Sequence, residues 1–342
     1  MRVLLIKTSS MGDVIHALPA LTDAGRAIPG IQFDWVVEEP FAEIPSWHPL
    51  VNKVIPVALR RWRKHLFAKE TRAEWTALRS TLREKTYDVV LDAQGLAKSA
   101  LLCLFATGRR VGLDFSSARE TLAGLAYQKR CSVNFYQHAV VRARSLFAQG
   151  LGYELPETAP DFGLDKTVFT RDAASTNDIV FLHGTTWSSK QWPEEYWVAL
   201  ARMATNAGYR VKISGGNTDE LARAQRIAGA VAGVDALPRQ TIAEMARLLA
   251  NAKAAVAVDT GFGHLSAALN LPTISIYGAT NPVYTSAVGP ASVHLAAKFP
   301  CAPCLKRECD YRQPSVVTPA CYGEIPPEKV WSEVSRMVEL AG

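Results

Sequence analysis

The chain has 342 residues, 48% of them hydrophobic and 20% charged, with a formal net charge of +6. That describes a soluble globular protein too long for one core of ordinary size, so two domains are expected. No apolar run approaches the roughly 18–20 residues of a membrane-spanning helix, and the basic excess suits an acidic partner: nucleic acid, an anionic membrane or a phosphorylated substrate.

The opening MRVLLIKTSS carries an apolar run too short for a signal peptide, so a cytoplasmic protein is expected and Val3–Ile6 reads as a first strand. A helical pattern follows over Asp13–Ala27, with Val14, Leu18 and Leu21 on one face, then strands at Phe33–Val37 and Val54–Val57. Trp75–Lys85 is an amphipathic helix, Asp88–Asp92 and Arg110–Leu113 are strands, and His138–Gln149 is a helix. Periodicity is then lost in a Pro-, Gly- and acid-containing stretch, read as a connector over 156–177. The second half restarts with strand Asp178–Leu182, helix Glu194–Ala207, strand Arg210–Ser214 and helices from Glu220 and over Thr241–Ala250. Strand Ala254–Val258, the turn Asp259–His264, a small-residue helix and strand Thr273–Tyr277 form a βαβ unit, and Glu328–Leu340 is a terminal helix. Alternating strands and helices in both halves predict two Rossmann-like domains facing a cleft, with ligands beyond the strand carboxyl ends.

Four turns at those ends carry candidate chemistry. In Lys7–His16, Asp13 stands at a helix start, either as an N-terminal capping acid or as a general base taking a proton from an attacking hydroxyl. His16 competes with it, or merely lines the helix face. In His183–Pro193, Thr185, Thr186 and Ser188 offer neutral donors and Lys190 the charge that a leaving diphosphate requires; an ordinary polar loop is the alternative, and the glycine spacing is not that of a Walker loop. Glu220, after Gly215-Gly216-Asn217, fits a ribose diol or is a helix-start acid. Gly261 and Gly263 let backbone N–H groups approach an anion at a helix N-terminus, unless Asp259 or Thr260 simply caps that helix.

Arg60-Arg61-Trp62-Arg63-Lys64-His65, with Lys69, Arg72, Lys98 and Arg119, is a solvated face, a site for a phosphorylated acceptor or membrane surface, or a polynucleotide patch lacking any module signature. Cys301, Cys304, Cys309 and Cys321 are spaced C-x2-C-x4-C-x11-C, which could hold a zinc ion or leave free, redox-labile thiols. No catalytic metal and no cofactor is assigned.

The blocks MRVLLIKTSSMGDVIHALPAL, VLDAQGLAKSAL, FLHGTTWSSKQWP and VDTGFGHLSAALNLPTISIYGATNP together resemble the ADP-heptose:lipopolysaccharide heptosyltransferases. The resemblance spans nearly the whole chain, and KTSSMGDVIH and the RRWRKH loop are most similar to the heptosyltransferase I branch. It implies an α/β fold of GT-B type: an acceptor-binding domain over 1–155, an ADP-sugar domain over 178–326, and a helix over 327–342 crossing back to the first. It further implies inverting transfer of L-glycero-D-manno-heptose from ADP-heptose to the first Kdo of Kdo2–lipid A, at the cytoplasmic face of the inner membrane. By resemblance Asp13 is the base and Lys190, Thr185 and Thr186 contact the diphosphate. Glu220 contacts the ribose, and Asp259, Thr260, Gly261 and His264 form the sugar- and phosphate-binding turn. Ser10, Gly12, Arg60, Arg61, Arg63, Lys64 and Arg119 fall on the acceptor side. The competing readings are heptosyltransferase II or another inner-core transferase, a non-catalytic nucleotide-binding module docked on membrane, and, more weakly, a nucleic-acid binder.

Overall fold

Two units divide the chain, Met1–Leu164 and Asp165–Gly342. The structure, a computed structural model, describes residues 1–65, 67–170 and 176–341. Residues 171–175 of the stretch read as a connector, and Gly342 at the end of the expected last helix, lie outside the described residues.

In the first unit β1 (Arg2–Ile6), β2 (Gln32–Glu38), β3 (Val51–Val57), β4 (Thr86–Asp92), β5 (Thr107–Leu113) and β6 (Lys129–Cys131) form one parallel sheet in the order β3-β2-β1-β4-β5-β6. In the second, β7 (Asp178–Leu182), β8 (Arg210–Ile213), β9 (Val234–Ala236), β10 (Ala254–Val258), β11 (Thr273–Tyr277) and β12 (Ser292–Ala296) run β12-β11-β10-β7-β8-β9. Counted within its own unit, each order is 3-2-1-4-5-6, the doubly wound arrangement. The order of strand addition therefore reverses between β1 and β4 in one sheet and between β7 and β10 in the other. Those two gaps are where loops diverge and a ligand can enter.

The central strands are apolar on both faces because helices cover both. DIVFL, AAVAV and TISIY are buried at every position. Phe181, Trp192, Trp197, Leu200 and Ile213 form the centre of the second core, and the indole N–H of Trp192 donates to the Ile325 carbonyl at 3.0 Å. Strands β6, β9 and β12 and helix Ala97–Phe105 were not foreseen. The three strands are short sheet edges with exposed positions, so they lack the apolar run that betrays a central strand.

The unit boundary falls inside the expected connector, whose first part belongs to the first unit. Buried Arg144 donates to Asp23 (2.6 Å) and to the Thr158 carbonyl (2.9 Å), and Phe162 is buried. The last helix, Pro327–Ala341, packs on the second core. Val330, Val334 and Met337 recur at helical spacing and join the second core, against helix Glu194–Asn206, β10 and β11.

Candidate active site

In the first unit the turn after β1 is held against the turn after β4. The Gln94 side-chain oxygen accepts from the N–H of Thr8 (3.0 Å) and Ser9 (3.2 Å), and the Lys7 ammonium donates to the Ala93 carbonyl (3.0 Å). Gln94 is fixed in turn by buried Asp92, which accepts from the N–H of Gln94 and the hydroxyl of Tyr127. Helix Met11–Ala27 starts here, and Asp13 sits in its first turn with Gly12 buried beside it. Oδ2 of Asp13 accepts from the N–H (2.8 Å) and hydroxyl (3.0 Å) of Ser10, while Oδ1 faces the Lys7 ammonium at 3.8 Å. Burial opposes ionisation of Asp13, but Lys7, the two Ser10 donors and Arg119 outweigh it and hold the carboxyl below its usual range. The capping role weighed from sequence is therefore real, yet it uses one oxygen. His16 points elsewhere: it is buried and meets the His138 ring edge-on at 5.4 Å.

Arg142 was missed, because within helix Ala139–Leu151 it reads as an ordinary polar position. Its Nε is buried without a hydrogen-bond partner, and its guanidinium lies 4.6 Å over Phe135. Burial lowers its affinity for the proton, Asp13 opposes that shift and Arg119 adds to it, so three charged groups share this edge. The basic run is less uniform than its composition. The Arg60 N–H donates to Glu38, whose carboxyl is raised by burial despite the charges of Arg60 and Lys98. Arg61 is gripped by Glu39 (2.7 Å) and Glu74 (3.0 Å), so its charge is already matched; Arg63 and Lys64 are exposed.

In the second unit the loop after β7 meets the turn after β10. Lys190 and Asp259 form an ion pair at 2.7 Å; Thr280 donates to the same Asp259 oxygen (2.7 Å), and His264 stands 4.0 Å from the other. The Thr185 hydroxyl donates to the Asp259 carbonyl (3.2 Å), and the Lys190 ammonium also lies 4.4 Å over the Trp187 ring. The Asp259 carboxylate is thus turned toward Lys190 and Thr280, and Thr260 makes no side-chain cap bond to helix Gly261–Ala268. That favours the anion-binding reading of this turn over the capped-helix one. Gly263 lets the helix approach β10, since a Cβ there would stand 3.0 Å from Ala257 Cβ.

Beside this cluster runs a groove of about 700 Å³ lined by His183, Thr185, Ser188, Glu220, Arg223 and Glu308, among others. Its size suits a nucleotide. Glycines give Glu220 its place: a Cβ on Gly184 would fall 2.6 Å from the Glu220 carboxylate, which accepts from the Gly216 N–H at 2.7 Å. Thr186 is exposed in the same loop. Burial first, and Arg223 second, push His183 down to about 4, so it is neutral. The sequence did not single out Thr280 or Arg223, whose partners lie 21 and 31 residues away.

The four clustered cysteines line one cavity of about 20 Å³. Among the described residues no three His, Cys, Asp or Glu side chains are grouped as a metal's ligands. Their segment braces the loop after β7: the carbonyls of Lys306 and Arg307 accept from Ser189 Oγ (2.5 Å) and Ser188 Oγ (3.2 Å).

Residues 75–314 match the model of glycosyltransferase family 9 (heptosyltransferase). The chain belongs to that family. It is 51% identical to lipopolysaccharide heptosyltransferase 1 of Pseudomonas aeruginosa over 99% of this chain and 98% of that one. Lipopolysaccharide heptosyltransferase 2 of Salmonella typhimurium is 27% identical, over 83% of this chain and 85% of its own length. Among solved structures, E. coli heptosyltransferase WaaC with ADP-2-deoxy-2-fluoro heptose superimposes with a TM-score of 0.85 at 43% identity, covering 98% of this chain and 99% of that one. This family member is a glycosyltransferase that moves heptose in assembly of the lipopolysaccharide core, on a fold of two parallel sheets.

Proposed function

We propose that the enzyme transfers L-glycero-D-manno-heptose from ADP-heptose to the first Kdo of Kdo2–lipid A, with inversion at the anomeric carbon. The observation that carries the reading is Asp13. It is a carboxylate kept ionised at a sheet edge and flanked by Arg119 and Arg142, cations that suit an anionic acceptor. Asp13 takes the proton of the acceptor hydroxyl as its oxygen bonds to the anomeric carbon. The bond from that carbon to the diphosphate oxygen breaks, and ADP leaves with the electron pair. No second carboxylate is required, because direct displacement inverts configuration without a covalent intermediate.

On the donor side, Lys190, Thr185, Thr186 and the N–H groups of the Thr260–His264 turn receive the diphosphate as its charge grows. Glu220 takes the ribose diol, and Asp259 and His264 face the sugar. Arg60, Arg63, Lys64 and Arg119, with Ser10 and Gly12, serve the acceptor; Arg61 serves it by ordering the Arg60–His65 run through Glu39 and Glu74. A lipid-borne acceptor places the enzyme at the cytoplasmic face of the inner membrane. The described helices include none long and apolar enough to cross a membrane. The contrast between 51% identity to a heptosyltransferase 1 and 27% to a heptosyltransferase 2 supports the first transfer over the second.

The test is ADP release from ADP-heptose with and without Kdo2–lipid A stripped of its acyl chains. Release that depends on this acceptor and disappears in Asp13→Ala supports the reading. Tight ADP binding without release, followed by turnover on an acceptor already bearing one heptose, overturns the acceptor assignment.

A further inference from the structure

Four leucines on two packed elements of the first unit are exposed. Leu122 and Leu125, in the 3-10 turn Thr121–Ala126, are 73% and 68% exposed, and Leu101 and Leu104 of helix Ala97–Phe105 are 45% and 51% exposed. Helix and turn pack against each other. Lys98, Leu101 and Leu104, three residues apart, share the helix's outer face while Ala100, Leu102 and Cys103 are buried. In the turn, Leu122 and Leu125 stand one 3-10 repeat apart, and Ala123 and Gly124 are buried between them. Gly124 gives the Phe115 ring room, since a Cβ there would stand 2.9 Å from it.

The rim of this apolar face is cationic. Lys98 and Arg119 are exposed beside it, and Arg130 is anchored by its bond to the Gly124 carbonyl (2.7 Å), its guanidinium 4.8 Å over Phe115. The nearby acid, Glu120, is engaged, accepting from the Ala97 N–H at 2.7 Å. Single exposed leucines are ordinary, but four on two packed elements, with Lys98 on the same helix face, Arg119 just before the turn and Arg130 bonded to it, have the make-up of a surface that lies in a membrane interface. Pairing with a second copy about a two-fold axis would set Lys98 and Arg119 against like charges.

We propose that this face seats on an anionic bilayer, with Leu101, Leu104, Leu122 and Leu125 entering the boundary between headgroups and acyl chains and Lys98 and Arg119 on lipid phosphates. Arg119 also reaches Asp13 electrostatically, so the seated face adjoins the edge that receives the acceptor. Only this last point rests on the proposed function; seating itself needs no substrate.

The experiment is flotation of the full chain with phosphatidylcholine vesicles with or without phosphatidylglycerol, in low and high salt. Wild type is expected to float with the phosphatidylglycerol vesicles. The double variants Leu122→Asp/Leu125→Asp and Leu101→Asp/Leu104→Asp are each expected to lose at least about tenfold in partitioning. Serine versions of the same pairs guard against misfolding, with unchanged melting temperature and ADP affinity as the criterion. Turnover on an acyl-free acceptor is expected to be unchanged in these variants, while turnover on acceptor embedded in vesicles falls. Vesicle binding that is equal in wild type and all leucine variants overturns the proposal. A wild-type dimer in sedimentation velocity that the leucine variants dissolve also overturns it, in favour of contact between copies. A wild type that floats but is inactive on the acyl-free acceptor counts against the proposed reaction and leaves the seating standing.

Discussion

Lys190 and Asp259 meet at 2.7 Å across the gap between β7 and β10, the point where the strand order of the second sheet reverses. Both are largely shielded from water, and Thr280 and His264 converge on the same carboxylate. The ammonium is therefore held in one place before any diphosphate arrives, so little reorganisation is left for the reaction step. Replacing Lys190 by Ala is expected to lower kcat/KM by about 10²–10³, with Arg recovering part of the loss. Steady-state kinetics beside thermal melting decides it. Unchanged turnover with a lower melting temperature would make the pair a structural clasp only.

Asp13 carries two duties that one substitution can separate. Asn keeps an oxygen for the Ser10 N–H but cannot take a proton. Asp13→Asn is expected to melt near wild type and lose about 10²–10⁴ in kcat, whereas Asp13→Ala loses the same activity and also about 1 kcal/mol of helix-start stability. ADP affinity, read by calorimetry, should be unchanged in both. Because Lys7, Ser10 and Arg119 keep the carboxyl below its usual range, no loss of rate from this group is expected as pH falls from 7 to 5.

Gly184 and Glu220 are coupled by space alone. An alanine Cβ at 184 would displace the Glu220 carboxylate and break its bond to the Gly216 N–H. Gly184→Ala and Glu220→Gln are each expected to weaken ADP binding by roughly tenfold, about 1.4 kcal/mol. The double variant should be little worse than either, since both remove the same contact. Full additivity in a double-mutant cycle would refute the coupling.

His48 gives the fold a pH dependence of its own. Its Nδ1 accepts from the Leu50 N–H (3.3 Å), so the ring is neutral, and Nε2 lies 3.1 Å from the Thr22 hydroxyl. Burial, opposed in part by Asp161, lowers it from 6.5 to about 4. Between those pH values the unfolded chain holds a proton that the folded chain does not, so this contribution is complete above 6.5 and lost as pH falls toward 4. Roughly 3 kcal/mol is at stake. Urea unfolding from pH 7 to 4 should show the decline, and His48→Gln should flatten it; parallel curves would exclude His48 as the cause.

Much of the architecture was legible because it depends on local chemistry. Short, β-branched apolar runs such as AAVAV and TISIY, bounded by turn residues, read as strands buried on both faces, and the polar, glycine-bearing turns that follow β1, β7, β8 and β10 announce the ligand edge. Asp13, Lys190, Glu220 and Asp259 could be placed at that edge for that reason. Each stands in the first turn after a strand, where backbone geometry alone brings it to the edge.

What the sequence could not supply was decided by contacts between distant segments. Edge strands β6, β9 and β12 owe their form to a neighbour's hydrogen bonds rather than to their own apolarity. Nothing in RRWRKH distinguishes Arg61, matched by Glu39 and Glu74, from exposed Arg63; that depends on two acids 22 and 13 residues away. Arg142 comes under the charges of Asp13 and Arg119 only when the helices of the first unit pack, and the last helix takes its place because its apolar stripe fits the second core. Local propensity sets where a side chain emerges from the backbone. Only long-range packing sets which charge it meets there, because electrostatic and hydrogen-bond energies depend on distances that the order of residues leaves open.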